Sequence, residues 1–193
     1  MDFDFSDDQQ QLRDAVAKWV DKGYSFERRR AIEAAGGFSR EAWDELAELG
    51  LGGLLIPEDD GGLGMGAVEM MVVMEELGRG IVLEPLAQSF IAGAVLAGHA
   101  DEATRTEWLP RIAGGQALVV LAQQEKKARY RLDVCEAQAA KAGSGYTVTG
   151  AKSVVPAGDQ ADAYLVPARL DGKIALFLVP RSEDGVAARG YGT

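Results

Sequence analysis

The chain has 193 residues, of which 47% are hydrophobic and 26% charged, a balance that supports a sizeable folded core and excludes disordered and collagen-like classes. Thirty acidic side chains against 20 basic ones give a formal charge of −10, which argues against broad attraction to nucleic acid or to an anionic membrane surface. One cysteine, Cys135, and one histidine, His99, cannot build a disulfide framework or a Cys/His metal cluster, so no metal site is expected and a reducing, cytoplasmic setting is the default.

The first 20 residues hold five aspartates and no apolar leader segment, so no signal peptide is expected. No stretch approaches the roughly 20 apolar residues that span a bilayer. Ser6 as N-cap and Gln9 three residues on form a capping box, and Leu12, Ala15, Val16, Trp19 and Val20 follow at helical spacing. Gly23 is expected to end this first helix in a left-handed cap. A second helix is predicted from Ser25 to Gly36, and a third after Ser39, burying Trp43, Leu46 and Ala47 before Gly50 stops it. Four glycines between Gly61 and Gly66 make a turn-forming loop, followed by a helix from Ala67 to Leu77 closed by Gly78. The stretch from Pro85 to Ala97 is apolar on nearly every side, which predicts a central or interface helix. A last helix carries Thr104, Trp108, Leu109 and Ile112, is kinked or shortened by Pro110, and fades at Gly114-Gly115.

From Ala117 the pattern changes to short apolar runs: Ala117 to Ala122, Tyr146 to Thr149, Ala163 to Ala168 and Ile174 to Val179. Gly143-Ser144-Gly145 and Leu170-Asp171-Gly172 read as tight turns, the Asp-Gly pair suiting a hairpin that needs positive φ. Charge divides at the same place, with 22 acidic against 10 basic side chains in residues 1–116 and 8 against 10 in residues 117–193. Two domains are therefore expected, helical over 1–116 and β-rich over 117–193.

Generic catalytic signatures are missing: there is no Gly-x4-Gly-Lys-Ser/Thr loop, no nucleophile elbow and no His-Glu-x-x-His helix. Gly61 to Gly66 lacks the spacing of a phosphate cradle. His99 falls between helices, where a surface position is expected, and Cys135 is read as a buried inert thiol. The neighbouring acids Asp7, Asp8, Glu58, Asp59 and Asp60 are read as solvated rather than catalytic. Lys126, Lys127, Arg129 and Arg131 place four cations in six residues just after a strand, as a solvated loop or as a site for ligand phosphates.

Several segments together carry a resemblance. Trp43, Leu46, Leu49-Gly50-Leu51-Gly52-Gly53-Leu54, Ile56-Pro57-Glu58, Gly61-Gly62-Leu63-Gly64 and Glu75-Glu76-Leu77-Gly78-Arg79 resemble the N-terminal helical domain of the acyl-CoA dehydrogenase family. Tyr146 to Lys152 resembles that family's Tyr-x-Ile-Asn-Gly-x-Lys strand pair, and Ala161 to Tyr164 its next strand. Within the family, Phe26 to Ile32, Val82-Leu83-Glu84-Pro85 and Ala151 to Val155 look like the small subunit of pimeloyl-CoA dehydrogenase.

The resemblance implies an α+β fold: an all-α N-terminal domain followed by a truncated antiparallel β-barrel-like domain, without the family's C-terminal helical bundle. It implies FAD-dependent removal of hydrogen from Cα and Cβ of an acyl-CoA thioester. The family's base belongs to the bundle, and this chain stops at Tyr191-Gly192-Thr193, so no catalytic residue is assigned. The family's flavin loop, Thr-Glu-Pro-x-Ala-Gly-Ser-Asp, is represented by Gln124 to Arg131, with Glu125 and Ala128 in common. The aromatic that packs on the flavin falls at Val154 and a nearby threonine at Pro156, which has neither hydroxyl nor backbone N–H. Cofactor binding is thus expected at Gln123, Gln124, Glu125 and Val154, and acyl-CoA binding at Lys127 and Arg129.

The leading expectation is a small or non-catalytic subunit paired with a large acyl-CoA dehydrogenase subunit. The alternative is the N-terminal portion of a conventional flavoenzyme paired with itself. A third reading has the basic loop holding CoA phosphates without redox chemistry.

Overall fold

A computed structural model describes residues 4–129 and 131–191; Tyr130, Gly192 and Thr193, which figured in the expectations above, lie outside it. The chain divides into two compact units, Met1–Gln116 and Ala117–Thr193.

The first unit is all helix: α1 Asp7–Gly23, α2 Phe26–Ala34, α3 Arg40–Glu48, α4 Ala67–Arg79, α5 Leu86–His99 and α6 Glu102–Ala113, with 3-10 turns at Leu51–Gly53 and Glu58–Asp60. Local chemistry sets the helix starts. Ser6 accepts the Gln9 N–H at 3.2 Å while the Gln9 amide oxygen accepts the Ser6 N–H at 3.0 Å. Ser25, Ser39 and Asp101 likewise accept from the third residue onward, each satisfying an amide that the helix leaves unpaired. The helix ends are less local. Gly23 remains helical, and α1 is capped by Tyr24 at φ −120° rather than by a left-handed glycine. Helix α4 runs through Gly78, because Leu77 is buried in the core and holds the turn in place. Helix α6 continues through Pro110, losing one backbone bond without ending.

The core of this unit joins Val16 and Val20 of α1, Leu46 of α3, Leu51 and Leu54 of the 3-10 turn and its exit, Val73 and Leu77 of α4, and Leu86 and Phe90 of α5. Trp43 is buried beside Phe38 and donates its indole N–H to the Gly115 carbonyl at 2.9 Å. Within the stretch Val82 to Pro85, Glu84 is buried and accepts the Ser39 N–H at 3.1 Å, while the Leu83 N–H is donated to the Tyr24 hydroxyl at 3.1 Å. Burial beside these groups pushes the Tyr24 phenol up to about 12. Helix α5 buries Leu86, Ser89, Phe90, Ala92, Gly93 and Leu96, yet Ile91 is exposed, so it is central on one face only.

The second unit is a five-stranded sheet: β1 Val119–Leu121, β2 Gln138–Ala142, β3 Gly145–Thr149, β4 Ala163–Leu170 and β5 Lys173–Pro180. Strand β4 is central. One edge pairs antiparallel with β5 from Ala163↔Pro180 to Leu170↔Lys173. The other edge pairs parallel with β1 at Val119↔Ala163 and with β2 at Gln138↔Arg169. The α+β class holds, but the expected antiparallel sheet is mixed. Connectivity permits this: β1 reaches β4 only after the β2–β3 hairpin has intervened, a connection long enough for the two to pair in parallel. The β4–β5 turn is as expected, with Asp171 at φ 50° and Gly172 at φ 79°.

No helix among the described residues is long and apolar enough to cross a membrane. None of the described His, Cys, Asp or Glu side chains form a group of three or more that could hold a metal ion.

Candidate functional site

Two segments of the second unit come together around one buried carboxylate. The first follows β1 and covers 122–129. The second covers 151–157, between β3 and β4. Ser153 donates its N–H to the Gln124 carbonyl at 2.8 Å, joining the two backbones. One residue earlier on one segment and one later on the other, the Lys152 ammonium donates to Glu125 Oε1 at 2.7 Å.

Glu125 is 3% exposed, and its carboxylate is fully engaged. Oε2 accepts the Glu136 N–H at 2.6 Å, and Oε1 accepts the Ala137 N–H at 3.1 Å in addition to Lys152. The Cys135 thiol lies 3.7 Å from Oε1 and 3.9 Å from the Lys152 nitrogen, and it also faces the Pro167 carbonyl at 3.4 Å. Cys135 is thus buried, as expected, and shares the pocket of the ion pair. Gly150 approaches Ala137 so closely that an added Cβ would stand 2.6 Å from the alanine methyl, which explains a glycine where the chain enters the second segment.

Burial by itself would raise the Glu125 carboxyl, but the Lys152 ammonium and the two amides outweigh it and hold it below the ordinary carboxylate range. A depressed carboxyl adds stability that is present above its unfolded value and is lost as pH falls through its folded value. The β unit is therefore expected to hold at pH 5 and to loosen below about pH 4. Acid titration followed by near-ultraviolet circular dichroism checks this, and a transition unchanged in Glu125→Gln would count against it.

The remaining expected site residues are placed as follows. The Gln124 side chain donates to the Arg129 carbonyl at 3.3 Å. Lys127 pairs with Glu136 at 2.9 Å, and Arg131 with Asp133 at 2.7 Å. Lys126 and Arg129 are exposed and have no ion-pair partner among the described residues. Gln123 is half-buried at the start of the loop. Val154 is 63% exposed and sits at φ 52°, a left-handed conformation unusual for a β-branched residue. Arg129 at φ 50° and Ala157 at φ 54° belong to the same two segments. Gln124, Glu125 and Val154 are thus brought to one place, whereas Lys127 is spent on Glu136, two residues before β2.

Beside them lies a cavity of about 390 Å³, whose wall combines Val148, Val155, Val166 and Val179 with Tyr164, Lys152, Asp159, Arg189 and Tyr191. Its wall is mixed in polarity, and the ammonium of Lys152 is already committed to Glu125. The flavin expected from the resemblance needs donors along its edge and a flat face to lie on. Here the Gln124 amide and the Glu125 carboxylate are turned to the chain's own groups, Val154 offers no ring, and Pro156 offers no donor. At Gln124, Glu125, Val154 and Pro156 the side chains thus offer a flavin neither a ring nor an uncommitted charge.

Lys152 was absent from the expected site. Its signal is local isolation: it is the only cation between Lys141 and Arg169, just as Glu125 is the only carboxylate between Glu107 and Asp133.

Residues 6–116 match the family described as acyl-CoA dehydrogenase, N-terminal domain. The chain is 32% identical to the acyl-CoA dehydrogenase FadE27 of Mycobacterium tuberculosis, with all of this chain and 51% of that protein covered. It is 31% identical to the mitochondrial isovaleryl-CoA dehydrogenase of Pongo abelii, over 95% of this chain and 43% of the relative. Among solved structures, the ChsE4-ChsE5 complex from Mycobacterium tuberculosis superposes with a TM-score of 0.89 at 31% identity, covering all of this chain and 52% of that one. The chain spans about half the length of the relatives it matches.

Proposed function

This chain belongs to the acyl-CoA dehydrogenase family, and from that premise we propose that it is the small, non-catalytic partner in a hetero-oligomer carrying out FAD-dependent α,β-dehydrogenation of an acyl-CoA thioester. The observation that carries this reading is the 122–129 loop. Its Gln124, Glu125 and Lys127 side chains each bond to groups of the chain itself, and Val154 stands where the family places the aromatic that packs on the flavin. The likeness to a structure described as a ChsE4-ChsE5 complex supports a paired assembly. The partner in this reading is a large subunit of the same family, in the cytoplasm, resembling the arrangement of pimeloyl-CoA dehydrogenase. That subunit supplies the base and most of the flavin site, and this chain contributes backbone at Gln123, Gln124, Glu125 and Val154 to the assembled site. Toward the CoA phosphates the loop offers Arg129 directly, and Lys127 only by release from Glu136.

The test is the visible absorption spectrum of the protein purified from its own cells, with the accompanying chains identified. A colourless chain that returns with a second acyl-CoA dehydrogenase subunit is the expected result. A flavin band in a fully active homo-oligomer would overturn the proposal. It would favour the second reading, in which these residues form the N-terminal portion of a conventional flavoenzyme, a reading supported by the half-length match to isovaleryl-CoA dehydrogenase.

A further inference from the structure

Strand β5 is an edge strand: it pairs with β4, and no strand among the described residues lies on its other side. Which of its backbone groups face outward follows from the alternation along β4. The Leu165 carbonyl accepts the Ala122 N–H, and the Arg169 N–H is donated to the Ala137 carbonyl, so the odd-numbered residues of β4 turn their backbone groups toward β1 and β2. The even-numbered positions face β5, and the Asp162 carbonyl accordingly accepts the Arg181 N–H, in register with Ala163↔Pro180. On β5 the odd-numbered residues therefore bond to β4, while Ile174, Leu176 and Leu178 hold their N–H and C=O groups outward. Pro180 falls at the next outward position, where a missing N–H costs the β4 ladder nothing.

This edge is unguarded. Edge strands of soluble proteins are commonly blunted by lysine, proline or a bulge. Here Lys173 and Pro180 stand only at the two ends, and Ile174 to Val179 between them carry no charge. Ile174, Leu176 and Leu178 share one face, and the first two are 45% and 44% exposed. Charge decides what can approach. Residues 117–193 hold 8 acidic and 10 basic side chains, against 22 and 10 in residues 1–116, so two copies meet through this unit with little repulsion and through the other with much.

We propose that β5 pairs antiparallel with β5 of a second copy of this chain, about a two-fold axis through Leu176, so that the two sheets become one. In this register every outward N–H meets an outward carbonyl: Leu176 bonds to the partner's Leu176, and Ile174 to the partner's Leu178. It also brings Asp171 opposite the partner's Arg181. An axis through Phe177 would set Lys173 against the partner's Arg181 instead, and one through Ala175 would carry Leu178 past the strand to the partner's Gly172 turn. Such a self-complementary contact uses up the β5 edge of both copies and closes at two. The inference goes beyond the subunit reading and holds whichever chain carries the flavin.

Sedimentation of the full chain over a range of concentrations tests it. The unaltered chain is expected to be a dimer that dissociates on dilution. Leu176→Lys, which sets two like charges against each other at the axis, should weaken association by about tenfold or more. Leu176→Pro should do the same, because it removes an outward N–H and leaves the bonds to β4 in place. Circular dichroism checks that both variants are folded. Mixing Leu176→Lys chains with Leu176→Glu chains should restore the dimer, since those two side chains meet only at an axis through residue 176. A chain that stays monomeric at every concentration, a dimer that the lysine variant leaves intact, or a lysine and glutamate mixture that stays monomeric would each overturn the proposal. An assembly from its own cells that holds a single copy of this chain would overturn it as well.

Discussion

Glu125→Ala is expected to destabilise the β unit by about 3–5 kcal/mol, the range typical for removing one member of a buried ion pair. The magnitude follows from what is left behind. Lys152, with its side chain 9% exposed, is left without its partner, and the Glu136 and Ala137 amides lose the acceptor they have here. Water has little access, because Cys135, Ala137 and Ala168 form a buried cluster at the same place. Glu125→Gln should cost distinctly less, since its amide oxygen still accepts from the two backbone groups. Denaturant unfolding of the full chain measures both, and a loss under about 1 kcal/mol for the alanine variant would show that the pair is replaceable by solvent.

Gly62→Ala is expected to lower the stability of the helical unit by about 3 kcal/mol or more, at the upper end for overpacking. An added Cβ would stand 2.1 Å from the Ile56 carbonyl oxygen and 2.5 Å from its carbon. These are backbone atoms, so no side-chain rotation relieves the clash. The chain around Gly62 is stitched to its neighbour by four backbone bonds: Gly62 N–H to Pro57, Leu63 N–H to Gly53, Gly64 N–H to Ile56 and Met65 N–H to Leu54, at 2.8 to 3.0 Å. Making room means breaking some of them. Gly78→Ala provides the contrast, since its Cβ would meet nothing within 4 Å on helix α4; it should stabilise by about 0.5–1 kcal/mol through helix propensity. Thermal unfolding of the two variants separates the cases, and similar melting temperatures would refute the packing argument.

The same loop shows how far the sequence could be read. Its four glycines mark a turn-forming segment, and the structure has Gly61 at φ 83° and Gly64 at φ 60°. That Gly62 is required for a close approach rather than for its φ could not be seen locally, because its neighbour Ile56 is brought against it by the fold. Strand β2 was missed for a related reason. Gln138-Ala139-Ala140-Lys141-Ala142 has no β-branched or aromatic residue, and it is extended because β3 pairs with it from Gln138↔Thr149 to Ala142↔Gly145. At the candidate site, the resemblance pointed to Gln124, Glu125 and Val154, and the fold joins their two segments through the Ser153 N–H and the Gln124 carbonyl. What Glu125 does with its carboxylate was not legible.

The sequence by itself determined whatever depends on a few neighbouring residues: the serine caps of α1, α2 and α3, the left-handed stop at Gly50, the Asp171-Gly172 hairpin, and the change from helix to strand at Ala117. These features are fixed by hydrogen bonds and torsion preferences that act over three or four residues. Tertiary structure alone decided that β4 runs parallel to β1, that the thiol of Cys135 sits beside Lys152, and that a lysine 27 residues along the chain closes over Glu125. Such choices belong to the fold because a buried charge has no favourable local partner here, and only the closing of the sheet brings the opposite charge and the two free amides within reach.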